Sequence, residues 1–326
     1  MTTTAIHNNK TSRVGIFMPC YNLGEYIEQA INSLKKQTFQ DFTVIIADDC
    51  SPDKKTIEKL ESLTLPDNFS IFFESKNLGM NAITNKYAKR IKSEYLLILS
   101  GDDTLKEDYL EKTVQFLDRN IETAAVTSWL QYFGESDGVR EYDPKKTDLK
   151  SMLLENNFCG SALIRKSVWD AVGGYGEGEY FRRHQDYDLW LSALEQGYRL
   201  GVIEEPLFNY RILKSSLSHD LDAEWEKNWL QHLINKHKDS YQTHFPEILS
   251  EYYRQTILTN QAWQTLHDGH EWLDQEYKST VERLQITDSE LQDVRRERDD
   301  LQVKVDKLRK YSLYPLLSRI KRMFAG

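Results

Sequence analysis

Apolar residues in the first third of the chain come in short, nearly unbroken runs at 14–18, 42–47, 69–73 and 95–99. Runs of this length without alternation predict strands covered on both faces, and such strands belong mostly to parallel sheets. Between them the apolar positions switch to helical spacing. Ile27, Ala30, Ile31 and Leu34 mark a helix over 24–37, and further helices are predicted at about 54–63 and 80–92. Strand and helix therefore alternate, which predicts an α/β fold with a Rossmann-like, mostly parallel sheet and right-handed crossovers. Residues 123–133 and 158–164 read as further strands, 134–149 as a polar loop, and 166–172 as a short helix ended by Gly173-Gly174. Another helix begins near Asp186, with Leu189, Trp190, Ala193 and Leu194 on its apolar face.

From about residue 220 to 267 the pattern is helical, and Trp225, Trp229 and Trp263 predict packing against the preceding domain. After Gly269 no Gly or Pro occurs until Pro315, which predicts one long helix. Its heptad seam runs through Leu284, Leu291, Arg298 and Val305 at one position and Thr287, Val294, Leu301 and Leu308 at the other. A coiled coil, and with it a homo-oligomer, is expected; a solvated single helix is the alternative. Residues 309–324 contain no acidic group and mix bases with large apolar side chains. Such a piece suits an anionic membrane surface, or else docks on the protein itself.

At 326 residues the chain is long enough for one large domain with an appendage. A net charge of −9 implies no general attraction to nucleic acid. The three cysteines, Cys20, Cys50 and Cys159, lie far apart at no metal-ligand spacing and suggest a reducing compartment. The first dozen residues are polar, and no run of about 18 apolar residues appears anywhere. A cytoplasmic protein is expected, attached peripherally to the inner face of the membrane if the basic tail binds lipid.

The chemistry gathers where the early strands end. Tyr21-Asn22, Asp48-Asp49 and Asp102-Asp103 each follow directly on an apolar run, so a parallel sheet would bring all three clusters to one edge, where open α/β sheets bind ligands. An aromatic ring can stack on a base, one carboxylate can accept from a base N–H or a ribose hydroxyl, and another can hold a divalent ion against phosphates. Each has a plainer reading. Tyr21 suits a core aromatic, residues 48–53 a solvated turn with an Asx cap, and Asp103 a cap for a helix at Thr104.

Residues from about 14 to 211 resemble the inverting family-2 glycosyltransferases with the glycosyltransferase A fold. The resemblance rests on VGIFMPCYNLGEYIEQAINSLKKQTFQDFTVIIADDCSPD, then NLGMNAITNKYAKRIKSEYLLILSGDD, then HQDYDLW. It implies that Tyr21, with Pro19 and Asn22 in the same donor loop, packs on the base of a UDP- or dTDP-sugar. Asp49 would read the base edge with Asp48 nearby, Asp102 would contact ribose or diphosphate, and Asp103 would ligate Mn²⁺ or Mg²⁺, with Asp102 as a second candidate. Many members have Asp-X-Asp-Asp where this chain has Ser100-Gly101-Asp102-Asp103. The family's general base maps to Asp186, preceded here by Gln185 rather than an acid, with His184 and Gln185 on the acceptor side. An N-cap is the plainer role for Asp186, and Asp188 is expected to face solvent. The family's frequent Tyr-Arg-X-His ends in Leu213 here, leaving Arg211 or Lys214 to meet the diphosphate. GGYGEGEY, which lacks the Lys-Ser/Thr of a P-loop, reads as a helix stop or as a mobile flap over the sugar.

The implied function is metal-dependent transfer of a sugar to a hydroxyl of a lipid-linked or oligosaccharide acceptor in bacterial surface-polysaccharide synthesis. The expected organisation is a polar segment at 1–13, a catalytic domain at 14–216, a packed helical extension at 217–269, a coiled coil at 270–310 and a basic tail at 311–326. A sugar nucleotidyltransferase should carry a Gly-rich loop with Arg and Lys where Pro19-Cys20-Tyr21-Asn22 stands. A non-catalytic scaffold with a degenerate transferase domain is favoured only by Ser100, Gln185 and Leu213.

Overall fold

The computed structural model describes residues 11–181, 183–213, 223–283 and 288–311. The chain forms two compact units, Met1–Thr243 and His244–Gly326. The first opens with strict alternation: β1 (Ser12–Cys20), α1 (Ile27–Lys35), β2 (Phe42–Asp48), α2 (Lys54–Ser62), β3 (Phe69–Phe73), α3 (Met80–Ala88) and β4 (Ser93–Ile98). β1 lies parallel to both β2 and β4, and β2 lies parallel to β3, with Cys20 beside Asp48 and Phe17 beside Ile98. This half of the sheet is the one the unbroken apolar runs predict. Ile27, Ala30, Ile31 and Leu34 of α1 are fully buried, and each of the larger three contributes about 1.5–3 kcal/mol on burial. At the start of α2, Asp53 accepts the backbone N–H of Lys55 and the hydroxyl of Thr56, which satisfies donors that the first helical turn leaves open.

Beyond β4 the sheet becomes mixed. Here lie β5 (Thr104–Leu105), α4 (Tyr109–Arg119), β6 (Thr123–Gly134), β7 (Gly138–Arg140), α5 (Leu149–Leu154), β8 (Leu163–Arg165), α6 (Lys166–Val172), α7 (Gln185–Glu195) and β9 (Arg199–Ile212). The strand order is β3-β2-β1-β4-β8-β6-β9-β5, with β7 on β6. β8 runs antiparallel to β4 and β6, β9 runs parallel to β6, and β5 closes antiparallel on β9. Several expectations shift here. The run at 158–164 yields a strand only from Leu163, and the polar stretch at 134–149 contains β7. The fourteen-residue β9 has no clear sequence signal because Glu204, Glu205 and Pro206 interrupt its apolar run.

α6 ends where Gly173, at φ 89°, donates its N–H to Trp169 O at 3.1 Å. Only glycine takes that left-handed conformation at little cost, so the helix-stop reading of this segment is the one the geometry supports. The residues after the stop are tied down rather than loose. Asn81 Nδ2 donates to Gly176 O and Phe181 O, and Asn85 Nδ2, one turn along α3, donates to Tyr175 O. The unit ends with α8 (Ala223–Lys236) and α9 (Lys238–Thr243).

The second unit contains α10 (Phe245–Arg283) and α11 (Asp288–Tyr311), packed on one another. Lack of Gly and Pro predicts one helix from residue 270. Instead α10 begins 25 residues earlier, and 284–287, with Leu284 and Thr287, lie outside the described residues. Sequence shows only that no residue forces a break; it does not say where a helix finds its partner. Leu291, Val294, Arg298, Leu301 and Val305 are the sheltered seam positions of α11, so the predicted stripe has a neighbour in α10 of its own chain. The basic tail from residue 312 lies outside the described residues, as does the side chain of Trp263. No described helix is long and apolar enough to cross a membrane.

Candidate active site

The parallel register delivers the loops after β1, β2 and β4 to the same edge. The Tyr21 ring is 46 % exposed while the strand beneath it is buried, the reverse of what a core aromatic would show. Asn22 and Asp48 are held by one another's loops. Ser51 donates its N–H and its hydroxyl to the Asp48 carboxylate, its Oγ accepts the Asn22 N–H at 2.8 Å, and Asn22 Oδ1 accepts the Asp53 N–H. Asp48 thus does form the Asx-type turn that its plainer reading predicts. Asp49, 4 % exposed, accepts the N–H groups of Leu78 and Gly79 at 2.7 and 2.8 Å, which fastens the head of α3 to β2. Buried Pro19 continues β1 opposite Ala47.

Asp103 caps no helix. It precedes β5, and α4 begins only after Asp108. Its carboxylate is 3 % exposed and accepts the backbone N–H of Arg211 at 2.9 Å. Burial, and then the charge of Asp102, push this carboxyl well above the usual carboxylate range, with Arg211 opposing. Asp102 is the more open of the two and takes the Ser100 hydroxyl. Among the described residues no group of three His, Cys, Asp or Glu clusters to hold a metal. Two adjacent carboxylates, one raised by its neighbour, still suit a hard divalent ion that would relieve them. Such an ion takes about six oxygens or more, so water, replaced in part by a diphosphate when one is bound, would have to complete its shell. Arg211 does not have a free guanidinium. Its Nε donates to Asp102 O at 2.9 Å and its Nη2 to Gln29 Oε1 at 2.6 Å. Lys214 lies outside the described residues.

Beyond this edge α7 starts at Gln185, with His184 as its N-cap at a left-handed φ of 58° and no side-chain capping bond. Asp186 is therefore in the first turn rather than capping it. Its Oδ2 accepts Asn156 Nδ2 at 3.1 Å, and Gly160 lies so close that a Cβ there would stand 3.2 Å from the carboxylate. Desolvation raises the Asp186 carboxyl; the charge of His184 and the Asn156 hydrogen bond pull it partly back. Two buried thiols feel the charge of these carboxylates. Cys20 is pushed up to about 12 by burial and then by Asp48, with Asp102 adding. Cys159 is pushed to about 11 by burial, with Asp186 and Asp103 both adding. β8 is antiparallel to β4 with Leu97 opposite Leu163, so Gly160, which packs on Asp186, lies at the end of β4 that leads to Asp103, although 83 positions separate the two carboxylates in sequence. Neither cysteine has thiolate character.

Among the described residues the non-glycine positions at left-handed φ are Asn22, Cys50 and His184, at 56–58°. Asn22 and Cys50 sit in the loops after β1 and β2 and His184 just before α7, and such conformations cost about 1–3 kcal/mol where the side chain is not Asn or Asp. His184 is packed: its ring lies 4.4 Å from that of Trp229, and Nε2 meets Glu226 Oε1 at 3.3 Å. Gln185 Oε1 is buried without a hydrogen-bond partner. The expectation for Asp188 is wrong. It is 1 % exposed and binds Lys236 at 2.6 Å and His237 at 3.1 Å, because α8 covers the face that α7 alone would have shown to water. Sequence reasoning also missed Asn156, Gly160, Gln29 and the Asn81/Asn85 pair. Asparagine before an apolar run reads as a turn residue, and nothing local says which distant group it meets.

Residues 15–175 match the family model described as Glycosyl transferase family 2. An uncharacterized glycosyltransferase of Methanocaldococcus jannaschii is 29 % identical over 61 % of this chain and 70 % of its own length. The putative teichuronic acid biosynthesis glycosyltransferase TuaG of Bacillus subtilis is 26 % identical over 66 % of this chain and 85 % of its own. Among solved structures, S. aureus TarS in complex with UDP-GlcNAc matches with a TM-score of 0.52 at 19 % identity, over 72 % of this chain and 75 % of that one. The mannosyltransferase PcManGT of Pyrobaculum calidifontis, in complex with GDP-Man and Mn²⁺, matches with a TM-score of 0.53 at 16 % identity, over 76 % and 71 %. These likenesses give the fold as α/β of the glycosyltransferase A type.

Proposed function

Residues 15–175 form a glycosyltransferase family 2 domain, and from that premise we propose that the chain moves a sugar, with inversion, from a UDP- or dTDP-sugar to a hydroxyl of a growing surface glycan. One observation carries the reading: β8 runs antiparallel to β4 with Leu97 opposite Leu163, so Gly160, against which the Asp186 carboxylate packs, lies at the end of β4 that leads into Asp102–Asp103. The exposed Tyr21 ring offers a stacking face for the base. Asp49, with Asp48 beneath it and Pro19 and Asn22 in the facing loop, shapes the base and ribose end. Asp102 and Asp103 hold the diphosphate end. A divalent ion bound there, Mn²⁺ or Mg²⁺, would neutralise charge on the departing nucleoside diphosphate.

Asp186 then accepts the proton of the acceptor hydroxyl as that oxygen attacks the anomeric carbon from the face opposite the leaving group. A base raised above the ordinary carboxylate range is better matched to this than a surface aspartate. Asn156 holds it in place, and His184 and Gln185 border the acceptor side. The glycan class rests on the relative named for teichuronic acid synthesis, and the nucleotide sugar on neighbours that bind UDP-GlcNAc and GDP-Man. The second unit is assigned to self-association, through the exposed Leu249, Tyr253 and Ile257 of α10 rather than the α11 seam that α10 already shelters, and the basic tail to an anionic membrane surface on the cytoplasmic side where lipid-linked acceptors are presented. Incubating the full chain with a panel of nucleotide sugars, Mn²⁺ and a lipid-linked acceptor tests the whole reading. Inverted anomeric configuration in the product is expected, and a retained configuration overturns the single-displacement scheme.

A further inference from the structure

We infer that Arg211 is a positioning residue: it latches the Asp102–Asp103 pair into the geometry that receives the cation, and it does not itself bind the diphosphate. The inference rests on the acidic pair being the cation and diphosphate edge. Arg211 reaches the pair twice, from its backbone N–H to Asp103 Oδ1 and from Nε to the carbonyl of Asp102, both at 2.9 Å. It is anchored away from the pair three times. Nη2 bonds Gln29 on α1, and the guanidinium carbon lies 4.7 Å from the Tyr26 ring and 4.2 Å from the ring of Phe133, its cross-strand partner on β6.

One side chain therefore joins α1, β6, β9 and the loop after β4. A group with two rings beside it and two of its donors already committed has little freedom to turn toward a phosphate. Its planar shape also matters. A lysine ammonium carries the charge but cannot stack between two rings while donating in two fixed directions. The side chain's part is to fix the main chain at Asp102, from which the adjacent carboxylates project; the bond to the Asp103 carboxylate comes from the Arg211 main-chain N–H and persists in any substitution.

The test is titration of the full-length chain with Mn²⁺ alone, by calorimetry and by loss of the free-ion spin-resonance signal, before any nucleotide is added. Arg211→Lys and Arg211→Met should each weaken Mn²⁺ binding about tenfold or more. Gln29→Ala, a surface change that touches no proposed ligand, should weaken it about threefold, and thermal melts establish that each variant is folded. Gln29→Ala combined with Arg211→Met should be no worse than Arg211→Met alone. Arg211→Lys with parental Mn²⁺ affinity, or Arg211→Met within twofold of the parent, overturns the latch and returns Arg211 to direct diphosphate contact. A parent chain that takes up no Mn²⁺ overturns the cation reading of the acidic pair, and the latch with it. The two failures are thus distinguishable by whether the parent binds.

Discussion

Asp186 and Asp103 are carboxylates that the fold holds under strain, and their substitutions should separate stability from function. Each has a pKa raised in the folded chain, so above the unfolded-state pKa its ionised form opposes folding. Asp103→Asn and Asp186→Asn should therefore raise the melting temperature at neutral pH, by about 2 °C or more. Asp186→Asn should still bind nucleotide while transfer falls about 10²-fold or more; unaltered turnover would move the base elsewhere. Asn156 supplies the finer test. Its hydrogen bond favours the charged form of Asp186, so Asn156→Ala should shift the acid limb of kcat to higher pH, whereas a loss of rate at every pH with no shift would make Asn156 a mere scaffold. Motif residues such as Asp102 were legible because a buried strand ending in carboxylates is a local pattern. Asn156 and Gly160 were not, because their value lies only in where Asp186 arrives.

At the scale of elements, the docking of α8 on α7 depends on a chain of charge that sequence gives no means to foresee. Asp188 and Glu195, two turns apart on α7, both face His237, with Lys236 beside Asp188 and Ser240 on Glu195. Burial alone would raise the Asp188 carboxyl, but the hydrogen bonds and charges of His237 and Lys236 outweigh it and bring it down. A carboxyl depressed in the folded state stabilises above its unfolded pKa, and that contribution is lost as pH falls through the folded value. Acid below about pH 4 should thus loosen α8 before the sheet, seen as early exchange of α8 amides. Asp188→Ala leaves Lys236 and the Nε2 of His237 without their carboxylate and should cost about 3–5 kcal/mol in urea unfolding. A loss below about 1 kcal/mol would show the pair to be solvated in practice.

For the whole molecule, the boundary after Thr243 makes a sharper prediction than one drawn from composition. A chain ending there keeps α8 and α9 and should be a folded monomer that binds nucleotide, whereas one ending at residue 216 loses the cover of His184 and Asp188 and should not fold stably. Sedimentation and nucleotide titration of both fragments beside the full chain, which is expected to self-associate, decide the matter. By itself the sequence determined the parallel half of the sheet, the three loops at its carboxyl edge and the resemblance of the first two-thirds of the chain. All of these are periodic or contiguous signals, which burial on both faces imposes on neighbouring residues. Only the tertiary structure decided that β8 turns against β4, that Asp188 is buried, that α10 shelters the α11 seam and that Arg211 has five partners. Those outcomes depend on which residues meet across many positions of sequence, and a side chain's chemistry does not specify its partner until the packing has chosen one.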